Sequence, residues 1–164
     1  MQWYLVHSKP KQEKIALENL ERQGYTCYLP MLAVEKLRRG AVTVAEEPLF
    51  PRYLFIRLGR DGDAKSWSPI RSTRGVSRLV MFGVQPARVD AMFVDLLRTR
   101  EAAQADKVHA LFPAGARVQI MAGAFVGIEG VFEIMDGERR AMVLIEFLSK
   151  PVRVPVAPAA LRAM

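Results

Sequence analysis

The sequence predicts an α+β protein with two domains, a larger N-terminal one and a small C-terminal one. In the first hundred residues, short runs of aromatic and β-branched residues alternate with two stretches of helical period, which indicates strands and helices. The distribution of charged residues also separates the first hundred residues from the rest of the chain. Residues 1–100 contain 17 Lys and Arg against 10 Asp and Glu, whereas residues 101–164 contain seven of each, so the net charge of +7 lies in the first part. Only the N-terminal domain therefore has an electrostatic reason to approach phosphate groups.

The chain begins with a predicted central strand and the helix that follows it. Residues 1–8 (MQWYLVHS) are aromatic and β-branched enough for a strand. Ser8 can cap the next helix, Pro10 suits its first turn, and residues 11–23 contain no helix breaker before Gly24. The predicted buried stripe of this helix consists of Ile15, Ala16, Leu17 and Leu20.

A strand, a bend and a hairpin are predicted next. Residues 25–37 favour an extended segment with Pro30 at an edge or bend, residues 38–40 (RRG) a basic loop tip, and residues 41–45 a short returning strand. Residues 49–56 (LFPRYLFI) are rich in aromatic residues but contain a proline. They therefore predict a strand beside irregular, exposed backbone.

The second half of the N-terminal domain is predicted to contain a turn, a strand and a helix. Residues 73–75 (TRG) are typical of a tight turn that leads into a strand over residues 76–82. Asp90 then caps a helix that runs to about residue 102. The predicted core side of this helix contains Met92, Phe93, Leu96 and Leu97. Roughly four strands with the two main helices on one face make a ferredoxin-like arrangement.

The C-terminal part is predicted to be a small barrel. We assign residues 1–101 to the N-terminal domain, residues 102–113, which are small and polar, to a linker, and residues 114–164 to the second domain. Frequent glycines and the hairpin signal Asp136-Gly137 favour a five-stranded barrel of about fifty residues. Residues 139–149 are apolar on nearly every side, so their period does not separate a buried strand from a helix, and a helix stays open there.

The composition and motifs argue against catalysis, metal binding and membrane insertion. Cys27 is the only cysteine, which excludes an intrachain disulfide and a thiolate metal cluster. We find no nucleophile with a nearby base, no HExxH and no phosphate-binding loop, so we expect no enzyme activity, no metal and no cofactor. No run approaches the ~20 apolar residues that span a bilayer, and the N-terminus lacks the basic start of a signal peptide. We expect a cytoplasmic monomer that does not contact membranes.

Several motifs occur in a fixed order along the whole chain. They are WYLVHSK at residues 3–9, LERQG at 20–24, EPLFPRYLF at 47–55, TRGVSRLVMFG at 73–83 and GARVQIMAGAFVGIEGVF at 115–132. On these residues the sequence resembles the NusG family of transcription elongation factors, and within it most closely the specialised paralogue RfaH. The resemblance implies an N-terminal NGN domain and a KOW-type C-terminal segment.

The resemblance also implies a partner for the N-terminal domain. Domains of this kind bind the clamp helices of RNA polymerase through an apolar patch and suppress pausing. By match to EPLFPRYLF and its surroundings, the patch would consist of Leu5, Phe50, Tyr53, Phe55 and Phe82. Alternation along a strand buries one face in any case, so an ordinary core is the alternative for each of these residues.

A second implication is contact with a hairpin in the exposed non-template DNA strand. The matching or adjacent residues are Lys9, Lys11, Gln12, Trp67, Arg71, Thr73 and Arg74. Lys9, Lys11 and Lys14 crowd a predicted helix start, where cations are unfavourable, so they are either solvated or kept for a polyanion. Trp67 either stacks on a splayed base or plugs the loop beneath it. Ser66-Trp67-Ser68 stands where the paralogue has His-Thr-Thr, which leaves the second polymerase contact and the DNA element open.

The third implication concerns the C-terminal segment. In the specialised paralogue this segment is a helical hairpin that covers the clamp-binding patch, and after release it refolds as a barrel and recruits a small-subunit ribosomal protein. The alternative to a barrel is therefore a helical hairpin packed on the N-terminal domain. The interdomain residues would be Glu47, Phe132, Arg140, Ile145 and Leu148, with Glu47 and Arg140 as an ion pair. Arg140 is otherwise a solvated strand residue.

The sequence therefore predicts a non-catalytic transcription elongation and antitermination factor that is operon-specific and autoinhibited in its free state. A general NusG-like protein, or an RNA- or ribosome-binding adaptor that uses the barrel, is the alternative. The zero net charge of residues 101–164 favours protein over nucleic acid as the partner of the C-terminal domain.

Overall fold

The computed structural model describes residues 2–58, 68–104 and 129–149. The strands are β1 (Gln2–Ser8), β2 (Thr26–Tyr28), β3 (Met31–Arg38), β4 (Ala41–Pro48), β5 (Tyr53–Leu58), β6 (Val76–Leu79), β7 (Met81–Phe82), β8 (Gln85–Pro86) and β9 (Arg88–Val89). The helices are α1 (Glu13–Arg22), α2 (Ser68–Arg71), α3 (Ala91–Gln104) and α4 (Gly137–Ser149), and a 3₁₀ helix covers Glu129–Glu133. The protein is thus a mixed α/β structure.

Five strands form the main sheet. The order is β2-β5-β1-β6, and β9 pairs with the part of β1 that β6 leaves free. All pairs in this sheet are antiparallel. The first strand is therefore central, as predicted, and the strand order with its crossovers is that of a β-α-β-β-α-β unit.

Different helices cover the two faces of this sheet. The front face, which carries Leu5 and Phe55, lies under α3 and α4. The back face, which carries Val6 and Ile56, lies under α1 and α2. The prediction that both main helices share one face is wrong, because β1 and β5 are apolar on both sides and each side needs a cover.

α1 begins two residues later than predicted, at Glu13 instead of Lys11. Lys11 has a positive φ of 60°, which is incompatible with a right-handed helix. Ser8 does not cap the helix, because its hydroxyl donates to the carbonyl oxygen of Lys9 at 2.9 Å. The buried or half-buried apolar stripe consists of Ala16, Leu17 and Leu20. Ile15, which was predicted in this stripe, is 37% exposed.

β3 and β4 form a separate hairpin. It turns at Arg39 and Gly40, which have positive φ values of 50° and 78°, so the basic loop tip is as predicted. β4 continues past the predicted strand to Pro48, and Glu47 therefore lies on it. The chain then turns before β5, which begins at Tyr53 rather than within the Leu49–Arg52 stretch.

The predicted strand over residues 76–82 is divided. β6 ends at Leu79, after which the N–H of Val80 donates to the carbonyl oxygen of Leu5 at 2.8 Å. β7 and β8 then form a short hairpin that turns at Gly83, which has a φ of 68°. Val80 is buried in the front-face cluster, so this break turns the chain toward the core.

α3 is capped as predicted, but it is longer than predicted and buries a different side. The carboxylate of Asp90 accepts the N–H of Met92 at 2.8 Å. The helix runs to Gln104, past the predicted domain boundary. Met92 is 67% exposed, whereas Val94 is buried, which corrects the predicted core side. Phe93 and Leu97 set the direction of the stripe, and Val94 lies nearer to it on the helix than Met92 does.

α4 is a helix where the sequence favours a strand. The carboxylate of Asp136 accepts the N–H of Glu138 at 3.0 Å, so the Asp-Gly pair begins a helix instead of turning a hairpin. The predicted linker beyond residue 104 and the predicted barrel strands at residues 115–128 and 150–156 lie outside the described residues. A segment that is apolar all round suits either structure, and packing against the front face favours the helix here.

Candidate partner-binding surfaces

The apolar residues that were predicted to bind the clamp helices are covered by other parts of the chain. We call it the covered patch, and it consists of Leu5, Phe50, Tyr53, Phe55 and Phe82. Leu5, Phe50 and Phe55 are fully buried, and Tyr53 and Phe82 are half-buried against the same cluster. Phe55 packs edge-on against Phe50 and against Phe93 of α3. Part of the patch is therefore also the core of the N-terminal domain.

α4 and the 3₁₀ helix before it supply the cover. Phe132 is 2% exposed, and Leu144 is fully buried. Ile145 and Leu148 pack half-buried against the cluster. Phe147 stacks on Phe93, with ring centroids 5.2 Å apart and an interplanar angle of 19°. The structure thus brings Phe132, Ile145 and Leu148 onto the front face of the sheet.

Tyr53 borders an open groove of about 400 Å³ beside α4. The groove is lined by Tyr53, Ala141, Met142, Ile145, Glu146 and Ser149. On its other side, the Tyr53 ring lies 4.9 Å from the ring of His7. Burial, Arg52 and Arg78 lower the pKa of His7 to about 4, so this imidazole is neutral at neutral pH. Our sequence analysis did not single out His7, although its place two residues after Leu5 on one strand face was a signal.

Arg140 ties α4 to the N-terminal domain. Its side chain is fully buried, and its Nη2 lies 2.5 Å from the Oε2 of Glu47. Its Nε donates to the carbonyl oxygen of Leu49 at 2.6 Å. Its Nη1 donates to the carbonyl oxygens of Ile134 and Met135 at 2.6 and 3.0 Å. Each guanidinium nitrogen therefore has an acceptor, which offsets much of the cost of burying this charge.

Glu47 is shared between two cations. Its other carboxylate oxygen lies 2.7 Å from the Nζ of Lys36 on β3. Burial alone would raise the pKa of Glu47, but hydrogen bonds from Lys36 and Arg140 outweigh burial and hold the pKa below its usual value. Lys36 was not predicted as part of the site. The hairpin register pairs Lys36 with Thr43 and Glu47 with Leu32, so this contact depends on the folded geometry of the side chains and not on the pairing of the strands.

Gly137 allows the start of α4 to approach the N-terminal domain closely. A Cβ at this position would lie 2.7 Å from Cγ of Pro51 and 3.3 Å from Nη2 of Arg140. The proline ring cannot move aside as a flexible side chain would. The missing side chain therefore permits both the helix contact and the placement of Arg140 against Glu47.

Those predicted DNA-binding residues that the structure describes lie together at one end of β1. The N–H of Lys9 donates to the carbonyl oxygen of Gly75 at 2.8 Å, which joins the two segments that carry them. We call the exposed cations here the basic patch, which consists of Lys9, Lys11, Arg71 and Arg74. Gln12 beside them is half-buried. Trp67 lies outside the described residues.

Thr73 shapes the turn beneath the basic patch. It is 6% exposed, and its Oγ1 donates to the carbonyl oxygen of Pro69 at 2.8 Å. The Nε2 of Gln23 lies 2.6 Å from the same hydroxyl. Gly75 has a φ of 88°, and a Cβ there would lie 2.7 Å from the backbone nitrogen of Ala16. The turn thus rests directly on α1, and the Thr73 side chain points into it rather than toward solvent.

These surfaces can be compared with those of known proteins. A sequence model of the family described as "Transcription termination factor nusG" matches residues 1–98, more than half of the chain. The chain belongs to the NusG family. Members of this family are transcription factors, not enzymes. Among the residues that the structure describes, no helix is long and apolar enough to cross a membrane, and no group of acids, His and Cys is arranged to hold a metal ion.

Similar NusG proteins cover both parts of the chain. The "Transcription termination/antitermination protein NusG" of Thermus thermophilus is 28% identical over 177 aligned residues, which span 94% of this chain and 95% of that protein. The protein of the same name from Chlamydia pneumoniae is 28% identical over 93% of this chain and 88% of its own length. That of Rickettsia typhi is 27% identical over 86% and 78%.

Proposed function

We propose that this NusG-family chain is a specialised elongation and antitermination factor of the RfaH type, which is autoinhibited in its free state. It binds the clamp helices of RNA polymerase through the covered patch and non-template DNA through the basic patch, and it suppresses pausing. The observation that supports this most is the docking of α4 on the covered patch, with Arg140 buried against Glu47.

The closed arrangement makes polymerase binding conditional. Leu5, Phe50 and Phe55 are fully buried, and apolar residues of α4 pack on the same cluster, so a partner reaches the whole patch only after α4 has left. A partner that binds only the open state competes with α4 for the same surface. Each 1.4 kcal/mol of docking stability therefore lowers the apparent affinity for polymerase about tenfold.

Release of α4 is also the step at which the C-terminal segment changes structure. The segment over residues 139–149 suits a strand or a helix, and outside the front face its helix loses the packing that favours it. It then folds as the KOW-type barrel that the sequence favours and recruits a small-subunit ribosomal protein. The balanced charge of residues 101–164 supports a protein partner for this domain.

DNA contact falls to the basic patch. Lys9, Lys11, Arg71 and Arg74 are exposed on two segments joined by a backbone hydrogen bond, so they present one cationic surface. Thr73 positions the turn from below, while Gln12 and Trp67 add contacts to the DNA. Phosphate groups of the non-template strand bind the cations, and Trp67 stacks on a base.

Polymerase binding by matched variants tests the proposal. R140Q removes the buried cation of α4, whereas R139Q changes its exposed neighbour. We expect R140Q to bind RNA polymerase more tightly than the wild type and R139Q to bind equally. Y53A in the R140Q background should remove that gain. If R140Q and the wild type bound with equal affinity, and Y53A changed neither, the patch would not be the polymerase site.

A general NusG factor is the second candidate, and the comparisons favour it. The similar proteins carry the name NusG and match the chain over most of their length. Paused elongation complexes with and without a non-template hairpin separate the two candidates. A specialised factor responds only to the hairpin template, whereas a general factor acts on both.

A further inference from the structure

Two arginines lie close together on the front face of the main sheet. They are at the opposite end of β1 from the basic patch. Arg57 of β5 and Arg98 of α3 both approach the ring of Trp3, with Cζ atoms 5.8 and 5.2 Å from its centroid. Arg98 also lies 5.0 Å from the ring centroid of Tyr28. Two like charges are therefore gathered around one buried indole ring, although they repel each other.

No acidic group neutralises this pair within the part of the chain that the structure describes. Arg57 and Arg98 take part in none of its ion pairs or side-chain hydrogen bonds, and the Nε of Arg57 is buried without an acceptor. Asp95 and Glu101 each lie three residues from Arg98 on α3. Asp95 forms none of the ion pairs among the described residues, and the carboxylate of Glu101 is already used. It accepts the Tyr28 hydroxyl at 2.5 Å and the N–H of Met31 at 3.2 Å. Arg98 is exposed and Arg57 is half-buried, so their remaining guanidinium N–H groups are open to an external acceptor.

The strand register adds a polar neighbour. Thr26 of β2 lies directly opposite Arg57 of β5, so both point to the same face of the sheet, and Thr26 is exposed. A hydroxyl and two guanidinium groups suit an anion with several oxygens, because guanidinium presents paired donors to phosphate or carboxylate.

We propose that Arg57 and Arg98, with Thr26, bind a backbone phosphate of a nucleic acid. Two observations favour nucleic acid over an acidic protein. The excess of +7 lies wholly in residues 1–100, which favours a polyanion. Among the described residues, β1, β2 and β5 carry no exposed large hydrophobic side chain, so this end of the sheet lacks the apolar centre of a protein interface.

The contact does not depend on base identity. Trp3 is only 5% exposed and its ring already faces Arg57 and Arg98, so it does not serve as a stacking platform. The site is also separate from the basic patch. Five residues of β1 lie between Trp3 and Lys9, so six steps of about 3.3 Å along the strand place the two sites about 20 Å apart.

Salt-dependent binding tests this inference. The probes are a duplex and a single-stranded DNA of arbitrary sequence, each with the full-length protein, and binding is followed by fluorescence anisotropy across salt concentrations. We expect R57Q and R98Q each to weaken binding and to reduce the slope of log K against log salt by about 0.9 with duplex or 0.7 with single strand. R57K and R98K retain the charge and should retain the slope. The probe that shows the change identifies which form is bound.

Two controls keep the result interpretable. The thermal unfolding of each variant is measured, and R57K and R98K replace any Gln variant that fails to fold, since losing the paired donors should still lower their affinity. R71Q/R74Q separates this inference from the proposed basic patch. If R71Q/R74Q lost affinity while folded R57Q/R98Q bound both probes with wild-type affinity and slope, the phosphate site would be refuted and the basic patch would stand. The opposite pattern would keep the phosphate site and reject the basic patch.

Discussion

Arg140 is the residue on which docking of α4 depends most. It is fully buried and binds Glu47 and four backbone carbonyl oxygens, those of Pro48, Leu49, Ile134 and Met135. Removing a buried charge partner typically costs about 3–5 kcal/mol, because the remaining groups lose their hydrogen bonds in a dry site. The ion pair with Glu47 is therefore only one of the interactions through which Arg140 stabilises the docked helix, and the carbonyl acceptors supply the others.

Substitution at the two ends of this ion pair should consequently have unequal effects. We expect R140Q to undock α4 by about 3 kcal/mol or more, and E47Q to undock it less, because Arg140 then keeps its carbonyl acceptors. Amide hydrogen exchange over residues 137–149 measures both, with R139Q as the exposed control. Equal exchange in E47Q and R140Q would show that the carbonyl contacts contribute nothing.

Docking should also depend on pH through Glu47. Hydrogen bonds from Lys36 and Arg140 lower its pKa from the ordinary value of 4.5, and only the effect of Arg140 depends on docking. The contribution of Glu47 to docking is therefore complete above 4.5 and is lost as the pH falls through the lowered pKa. We expect constant protection of α4 between pH 6 and pH 8 and weaker protection below about 4.5, after correction for intrinsic exchange rates. E47Q should lack this acid-dependent loss, and its persistence in E47Q would assign the effect to other groups.

At the scale of elements, the turn before β6 is fixed by its contact with α1. Gly75 combines a φ of 88° with a would-be Cβ only 2.7 Å from the backbone of Ala16, whereas Gly40 has a φ of 78° in open space. We expect G40A to cost about 1 kcal/mol from backbone strain alone and G75A about 3 kcal/mol from strain and overlap. Chemical denaturation measures both, and similar costs would mean that α1 yields easily at the contact.

The sequence predicted correctly those elements that depend on a local signal, such as alternation, a turn residue or a helix cap. β1, the β3–β4 hairpin and the cap of α3 follow from alternation, an Arg-Gly turn and Asp90. The break after Leu79 and the left-handed Lys11 depend on contacts between segments, which a local pattern does not record. α4 is the clearest case, because residues 139–149 carry no period and only packing on the front face favours the helix.

The residues of the candidate site likewise fall into those that the sequence predicted and those that it did not. Tyr53, Phe55 and the basic residues were predicted from motifs, and the structure gives their positions while their roles remain predictions. Lys36 and His7 were missed, because their importance comes from their contacts with Glu47 and with Tyr53 in the folded chain. Such pairings depend on tertiary contact, so one sequence does not reveal them.

At the scale of the whole molecule, helices pack on both apolar faces of the main sheet. α1 and α2 cover the back face, and α3 covers part of the front face. α4 comes from the far end of the chain and covers the remainder. A cover held by one buried arginine and an apolar face is suited to removal by a partner that binds the same surface.

Hydrogen exchange of the full-length chain with and without RNA polymerase measures this competition directly. We predict that polymerase binding deprotects residues 137–149 and at the same time protects β5, because the polymerase replaces α4 on the covered patch. Protection of α4 that stays unchanged while polymerase is bound would contradict the account, since the patch would then remain covered in the complex.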